Sequence, residues 1–187
     1  MRITLVTLFA LFLSSCSIPF LKQDARILSY EEYKNTLPTK ITNEFKLKGK
    51  LFLFINNKGQ TGKILWSFKD NKDTIHLLNP FNTKIAEIVL FEPEKKVILK
   101  FSKNKDKDSE ELISKIFGKK ENIFLLKEFI LNPPKQLSNI RDITIRYKNW
   151  NIVYQGNKVI RNHILPNTIE FEKNNISLKI FISDWIL

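Results

Sequence analysis

The chain predicts a mainly β protein, a mostly antiparallel sheet of about nine or more strands interrupted by one insertion of two helices. Three observations carry this. From Phe45 to Ile55 the odd positions are Phe45, Leu47, Gly49, Leu51, Leu53 and Ile55, whereas the even ones begin Lys46, Lys48, Lys50. Such period-two alternation gives a strand one dry and one wet face. Further segments of this kind, separated by Asn, Asp, Gly and Pro clusters, fill much of 60–102 and 142–184. Between those two regions the apolar spacing changes to that of helices.

The elements follow in order. Ser17 to Arg26 has no strong periodicity and reads as a tether. Ser29-Tyr-Glu-Glu32 is a capping box and starts a short helix reaching about Asn35, ahead of Pro38. Phe45 to Ile55 is the first long strand, and Asn56-Asn57-Lys58-Gly59 is a hairpin turn. Gln60 to Lys69 returns with Ile64, Trp66 and Phe68 on one face. Asp70 to Asp73 turns again, and Thr74 to Leu78 and Thr83 to Phe91 are further strands. Pro93 to Lys96 turns into Val97 to Ser102, where Val97, Leu99 and Phe101 share a face.

Lys103 to Asp108 is a charged, solvated loop, and Asp108 with Glu111 predicts a second N-cap box. Leu112, Ile113, Ile116 and Phe117 make a helical stripe ended by Gly118. A second, unusually apolar helix runs from Asn122 to Leu131 and stops at Asn132-Pro133-Pro134. Strands resume at Asp142 to Lys148, Asn149 to Gln155, Thr168 to Lys173 and Ile176 to Asp184. A long meander with a single apolar face needs a cover. It closes into a barrel, curls over its own face or takes a helical lid. The two apolar helices are the obvious lid.

The N-terminus carries a separate signal. Arg2 is followed by an apolar run from Ile3 to Leu13 and then by Leu13-Ser14-Ser15-Cys16. A charged start, a short apolar stretch and small residues before the cut are the layout of an export signal. The run is about half the roughly 20 apolar residues that a transmembrane helix needs. Cys16 is the only cysteine, so no disulfide forms within the chain. The stretch is similar to a bacterial lipobox, in which the cysteine is acylated and becomes the first mature residue. The expected organisation is a signal peptide over 1–15, a lipid-anchored tether over 16–27 and a single domain over 28–187. Ser17, rather than Asp, leans toward the outer membrane.

Composition narrows the partners. The formal net charge is +12, and only Arg2 leaves with the signal. The lysines are scattered rather than blocked, and an export signal takes the chain out of the cytoplasm, so a nucleic-acid partner is not expected. A basic surface still favours anionic lipid headgroups. Enzyme chemistry finds no foothold. His76 sits on the wetter face of a strand and His163 in a loop beside Pro166, with no metal spacing between them. There is no G-x-S-x-G and no phosphate loop among the five glycines. Carboxylates fall in turns, caps and exposed strand positions. No metal and no catalytic residue is expected.

Five stretches together resemble the LolB family, outer-membrane receptors that accept lipoproteins from the periplasmic carrier LolA. They are Phe45-Lys-Leu-Lys-Gly-Lys-Leu51; Ile64-Leu-Trp66 with the later Leu78-Asn79-Pro80-Phe81; Asp108 to Ile113; Phe129-Ile130-Leu131 with Pro133; and Leu165-Pro166 to Glu170, then Ile176 to Lys179 and Asp184-Trp185. Where the family often has Leu-Gly after Asn-Pro, this chain has Phe81-Asn82, and Asn132 replaces the glycine before Pro133.

The resemblance implies a mainly β fold with an α lid: a curved, incompletely closed antiparallel β-barrel of about 9–11 strands covered by helices. It also implies an acyl-chain cavity, where the residues alone would equally give a filled core. Wall candidates are Leu51, Leu53, Ile64, Trp66, Phe68, Leu77, Val97, Leu99, Leu178, Ile180 and Ile182. Lid candidates are Leu112, Ile116, Phe124 and Phe129. Pro80 and Phe81 correspond to a protruding loop that helps put lipoproteins into the membrane. The implied partners are LolA, the acyl chains of cargo lipoproteins and the inner leaflet of the outer membrane, for a monomer held at its periplasmic face. No cofactor is expected beyond covalent N-palmitoyl and S-diacylglycerol groups on Cys16. The alternative is a lipid-anchored structural or assembly protein with a solid β core.

Overall fold

The computed structural model describes residues 25–36, 44–56, 58–102, 107–117, 119–140 and 142–187; the side chains of 108, 109, 112 and 120 lie outside the description. The expected signal peptide, Cys16, the loop over 103–106 and the helix stop at Gly118 therefore fall outside the described residues.

Among the described residues, ten strands form one sheet. They are β1 (Arg26–Ser29), β2 (Phe45–Ile55), β3 (Lys58–Lys69), β4 (Lys72–Leu78), β5 (Lys84–Phe91), β6 (Lys96–Phe101), β7 (Asp142–Tyr147), β8 (Trp150–Ile160), β9 (His163–Lys173) and β10 (Ile176–Ile186). Their spatial order is β1-β7-β8-β9-β10-β2-β3-β4-β5-β6. Neighbours are antiparallel hairpins except where β10 returns to β2 and where β1 joins β7 in parallel. The sheet does not close, so with its helices it is an open, curved barrel bounded by β1 and β6.

The period-two pattern is the cause. Along β2 burial alternates strictly at its start, with Phe45, Leu47 and Gly49 inward and Lys46, Lys48 and Lys50 outward. The β2–β3 connection is tighter than the sequence suggests, because Ile55 pairs directly with Lys58. Asn56 takes the left-handed conformation (φ 50°) that such a two-residue turn demands and that Asn tolerates. Gly49 answers a close approach of backbones. A Cβ there would lie 2.5 Å from the Phe181 carbonyl oxygen, next to the register shift in β10 between Ile182 and Asp184.

The short helix α1 (Tyr30–Lys34) starts from the expected capping box. The Ser29 Oγ accepts from the Glu32 amide at 3.3 Å, and the Ser29 amide donates to Glu32 Oε2 at 2.8 Å. The covering helices are α2 (Lys107–Phe117) and α3 (Lys120–Leu131), followed by a 3-10 turn (Lys135–Ser138). Ile113, Ile116 and Phe117 of α2 and Ile123, Leu126, Phe129 and Ile130 of α3 are buried in the same cluster as the sheet's inner residues.

Four expectations need correction. The helix α2 already includes Lys107, so Asp108 lies inside it rather than at its N-cap. The sheet begins at Arg26, inside the stretch read as a tether; four residues are too few to show a period, and β1 exists because β7 offers an edge. The strand β8 continues to Ile160, and β9 starts at His163, so His163 is a strand residue and not a loop residue. Pro166 suggested a break there. It sits instead beyond Thr168, where β10 has already left β9, so its missing N–H costs no bond on that side.

Candidate functional site

The inner face of the sheet and the two covering helices meet in one continuous apolar cluster. Leu51, Leu53, Ile64, Trp66, Leu77, Leu178, Ile180 and Ile182 are buried in it, as are Ile116 and Phe129 from the helices. Phe68, Val97, Leu99 and Phe124 are half-buried and pack against it. The Leu112 side chain lies outside the description. The residues expected to form wall and lid are thus brought together, and each covers the other. A separate open groove of about 520 Å³ lies between the β7–β8 and β9–β10 turns. It is lined by Phe54, Asn149, Asn151 and Glu172 to Ser177, and none of the wall or lid candidates touches it.

The lid is held at the C-terminal half of α3 by polar groups that periodicity did not reveal. The Lys127 ammonium donates to Asp73 Oδ2 at 2.7 Å and to Glu92 Oε1 at 2.5 Å. It also lies 3.7 Å from the centre of the Phe68 ring. The other Asp73 oxygen accepts from Trp66 Nε1 at 2.8 Å. Asp73 is fully buried, and that burial raises its pKa against the two donors, which pull it back.

Tyrosines complete the attachment. Tyr154 Oη donates to the Phe129 carbonyl and Tyr33 Oη to the Asn132 carbonyl, each at 2.7 Å. These are among the carbonyls a helix end leaves without partners. Tyr30 Oη donates to Glu128 Oε1 at 3.0 Å, and burial together with that carboxylate pushes its pKa up to about 12. Burial also drives the Tyr33 and Tyr154 phenols up, so all three stay protonated donors at neutral pH. The signal for Lys127 was present: a lone cation among Ile123, Phe124, Leu126, Phe129 and Ile130 needs a buried partner. Asp73 was hidden because a strand-end aspartate reads as a turn.

At the other end of β4 lies the loop 79–83. The Asn79 side chain builds it, its Oδ1 accepting from the Phe81 amide at 3.0 Å and the Thr83 amide at 2.9 Å. The Asn82 amide donates to the Asn79 carbonyl at 3.0 Å, and Asn82 is left-handed (φ 66°). Pro80 and Phe81 form the tip of this turn, both exposed. Since Asn79 supplies the closure, nothing requires Phe81 to pack inward, and its side chain is 87% exposed.

Among the described residues no group of three or more His, Cys, Asp or Glu is placed to hold a metal. No helix of the described residues is long and apolar enough to cross a membrane. No curated protein matches the chain. The sequence model of the family described as "Outer membrane lipoprotein LolB" matches residues 43–185, which runs from before β2 to Trp185 in β10 and includes both covering helices. With an open ten-stranded sheet, a two-helix lid and a match over most of its length, the chain belongs to the LolB family of outer-membrane lipoproteins, which act in lipoprotein localisation.

Proposed function

We propose that this protein, anchored by acyl groups on Cys16 at the periplasmic face of the outer membrane, takes the acyl chains of lipoproteins from a LolA-type carrier. The chains enter between the inner sheet face and α2–α3, and the cargo passes to the membrane at Phe81. The observation that carries this reading is the continuity of one dry sheet face with a helical cover, beside a bare aromatic at a loop tip.

The physics explains the need. Each buried CH₂ is worth about 0.8 kcal/mol, so a sixteen-carbon chain faces a barrier of about 12 kcal/mol to enter water. Passing it between two apolar sites avoids that barrier, and a modest difference in affinity gives the transfer its direction. In this reading the side chains of Ile116, Phe124 and Phe129 now cover the face that acyl chains would take, so uptake requires the lid to move. No step requires a catalytic group.

A second reading has support of its own. Most wall and lid residues are buried, with Ile64, Trp66, Leu77, Ile116, Phe129, Leu178 and Ile180 at 0–1% exposure, and the 520 Å³ groove lies elsewhere. A solid-cored assembly lipoprotein would look the same. The two part company in a binding assay. A receptor binds a fluorescent fatty-acyl probe, releases it to an acylated lipoprotein and takes cargo from the carrier. Absence of probe binding leaves the structural reading.

A further inference from the structure

The outer face of the central strands carries an unpartnered patch in which aromatics and lysines alternate. Phe54 is 46% exposed and Phe181 42%, although both lie in strands. Phe52 links them, its ring meeting Phe181 edge-on at 5.4 Å between centres. Lys46, Lys48 and Lys50 stand on the same face of β2, exposed and, among the described residues, without an ion pair. Pairing places Phe181 opposite Lys50, and Lys50 opposite Lys63. Lys63 Nζ in turn donates to Asn82 Oδ1 at 2.5 Å, in the loop that carries Phe81. One row about 10 Å wide therefore joins the sheet patch to the loop tip.

We infer that this outer face is a second membrane contact, which lays the flank of the barrel on an anionic bilayer with Phe81 at its edge. The occupant follows from the chemistry. A sheet face that ends in isolated rings interleaved with long cationic side chains offers no deep apolar core to a protein partner. It suits an interface in which rings enter the headgroup layer while ammonium groups meet phosphates. The net charge of +12 has the matching sign. The lipid on Cys16 gives attachment without orientation, and this face supplies the orientation. The inference rests on the receptor reading for the purpose of the contact, not for its existence.

The test uses the whole acylated chain in vesicles. Because Cys16 is the only cysteine and its thiol is consumed by lipid, one introduced thiol is unique. Thr61→Cys places a fluorophore beside the patch, opposite Phe52; Lys96→Cys places one at the far end of β5–β6. Vesicles of phosphatidylcholine, alone or with about a third phosphatidylglycerol, carry headgroup-spin-labelled lipid as quencher. The Thr61 label should be quenched in anionic vesicles roughly twofold more than the Lys96 label. Lys48→Glu with Lys50→Glu, or about 0.5 M salt, should bring the two labels together. Phe54→Ser with Phe181→Ser should do so in a charge-independent way. Equal quenching of both labels in every vesicle, or a Thr61 label spared because another protein covers the face, overturns the inference. Cargo transfer measured in the same vesicles reports on the receptor reading alone; its failure leaves the quenching difference untouched.

Discussion

The Lys127 ammonium and the Asp73 carboxylate form a buried ion pair at 2.7 Å, joining the lid helix α3 to the start of strand β4. Neither group has an easy alternative in water, so each depends on the other. Trp66 and Glu92 satisfy their remaining capacity, at 2.8 Å and 2.5 Å.

Lys127→Met should therefore cost about 3–5 kcal/mol, because it leaves Asp73 buried without its cation. Lys127→Met combined with Asp73→Asn should recover much of that loss, since the amide keeps an acceptor for Trp66 and carries no charge. Urea midpoints for the single and double variants measure the coupling. Additive losses would show that the pair does not act as one unit.

The same group sets a pH dependence. An unfolded Asp73 gives up its proton near 3.8, whereas burial makes the folded group hold it to higher pH. Between these two values the folded state binds more protons, so this group's contribution to stability falls as pH rises through the window and is level above it. Asp73→Asn removes the titration. Urea midpoints across that range should differ in slope between wild type and variant, and parallel curves would exclude Asp73 as the source.

If Phe81 is the membrane contact proposed above, Phe81→Glu should leave uptake of cargo from the carrier unchanged and impair its delivery to bilayers, by putting a charge in place of an exposed ring. Folding should be unaffected, because Asn79 and not Phe81 closes the loop. A two-step transfer assay separates the stages, and normal delivery by the variant would remove the loop from the pathway.

Gly49→Ala should destabilise by about 1–3 kcal/mol through overpacking. The added methyl would meet the Phe181 carbonyl oxygen, which belongs to backbone and has little freedom to yield. Thermal unfolding gives the magnitude, and a neutral result would mean that β10 slides at its register shift.

Much of this fold is legible in the chain because alternation is a local code. The bounds of β2 are read correctly at both ends, since its inward positions recur at every second residue from Phe45 to Ile55. Ser29 and Glu32 announce α1 for the same reason, three residues apart. What escapes local reading depends on partners far away in sequence. Arg26–Ser29 becomes a strand only because β7, over a hundred residues later, lends an edge. Lys127 shows in sequence as a cation on an apolar helix, but which carboxylates pair with it, Asp73 and Glu92, shows only once the sheet lies against α3. Pro166 misleads because its tolerance depends on where β10 turns away. Phe81 shows itself in sequence as a ring next to a proline in a turn, but the reason it stays outside, the Asn79 side chain, becomes visible only in three dimensions.

The edges at β1 and β6 also set what the interior can hold. In a closed barrel, strand number and shear fix the bore, and changing it means breaking a ladder. Here the circumference has a seam. A small change of twist at each of the nine strand junctions would widen or narrow that seam without breaking a strand pair. Under the proposed function, such a seam would let one protein fit guests of different girth.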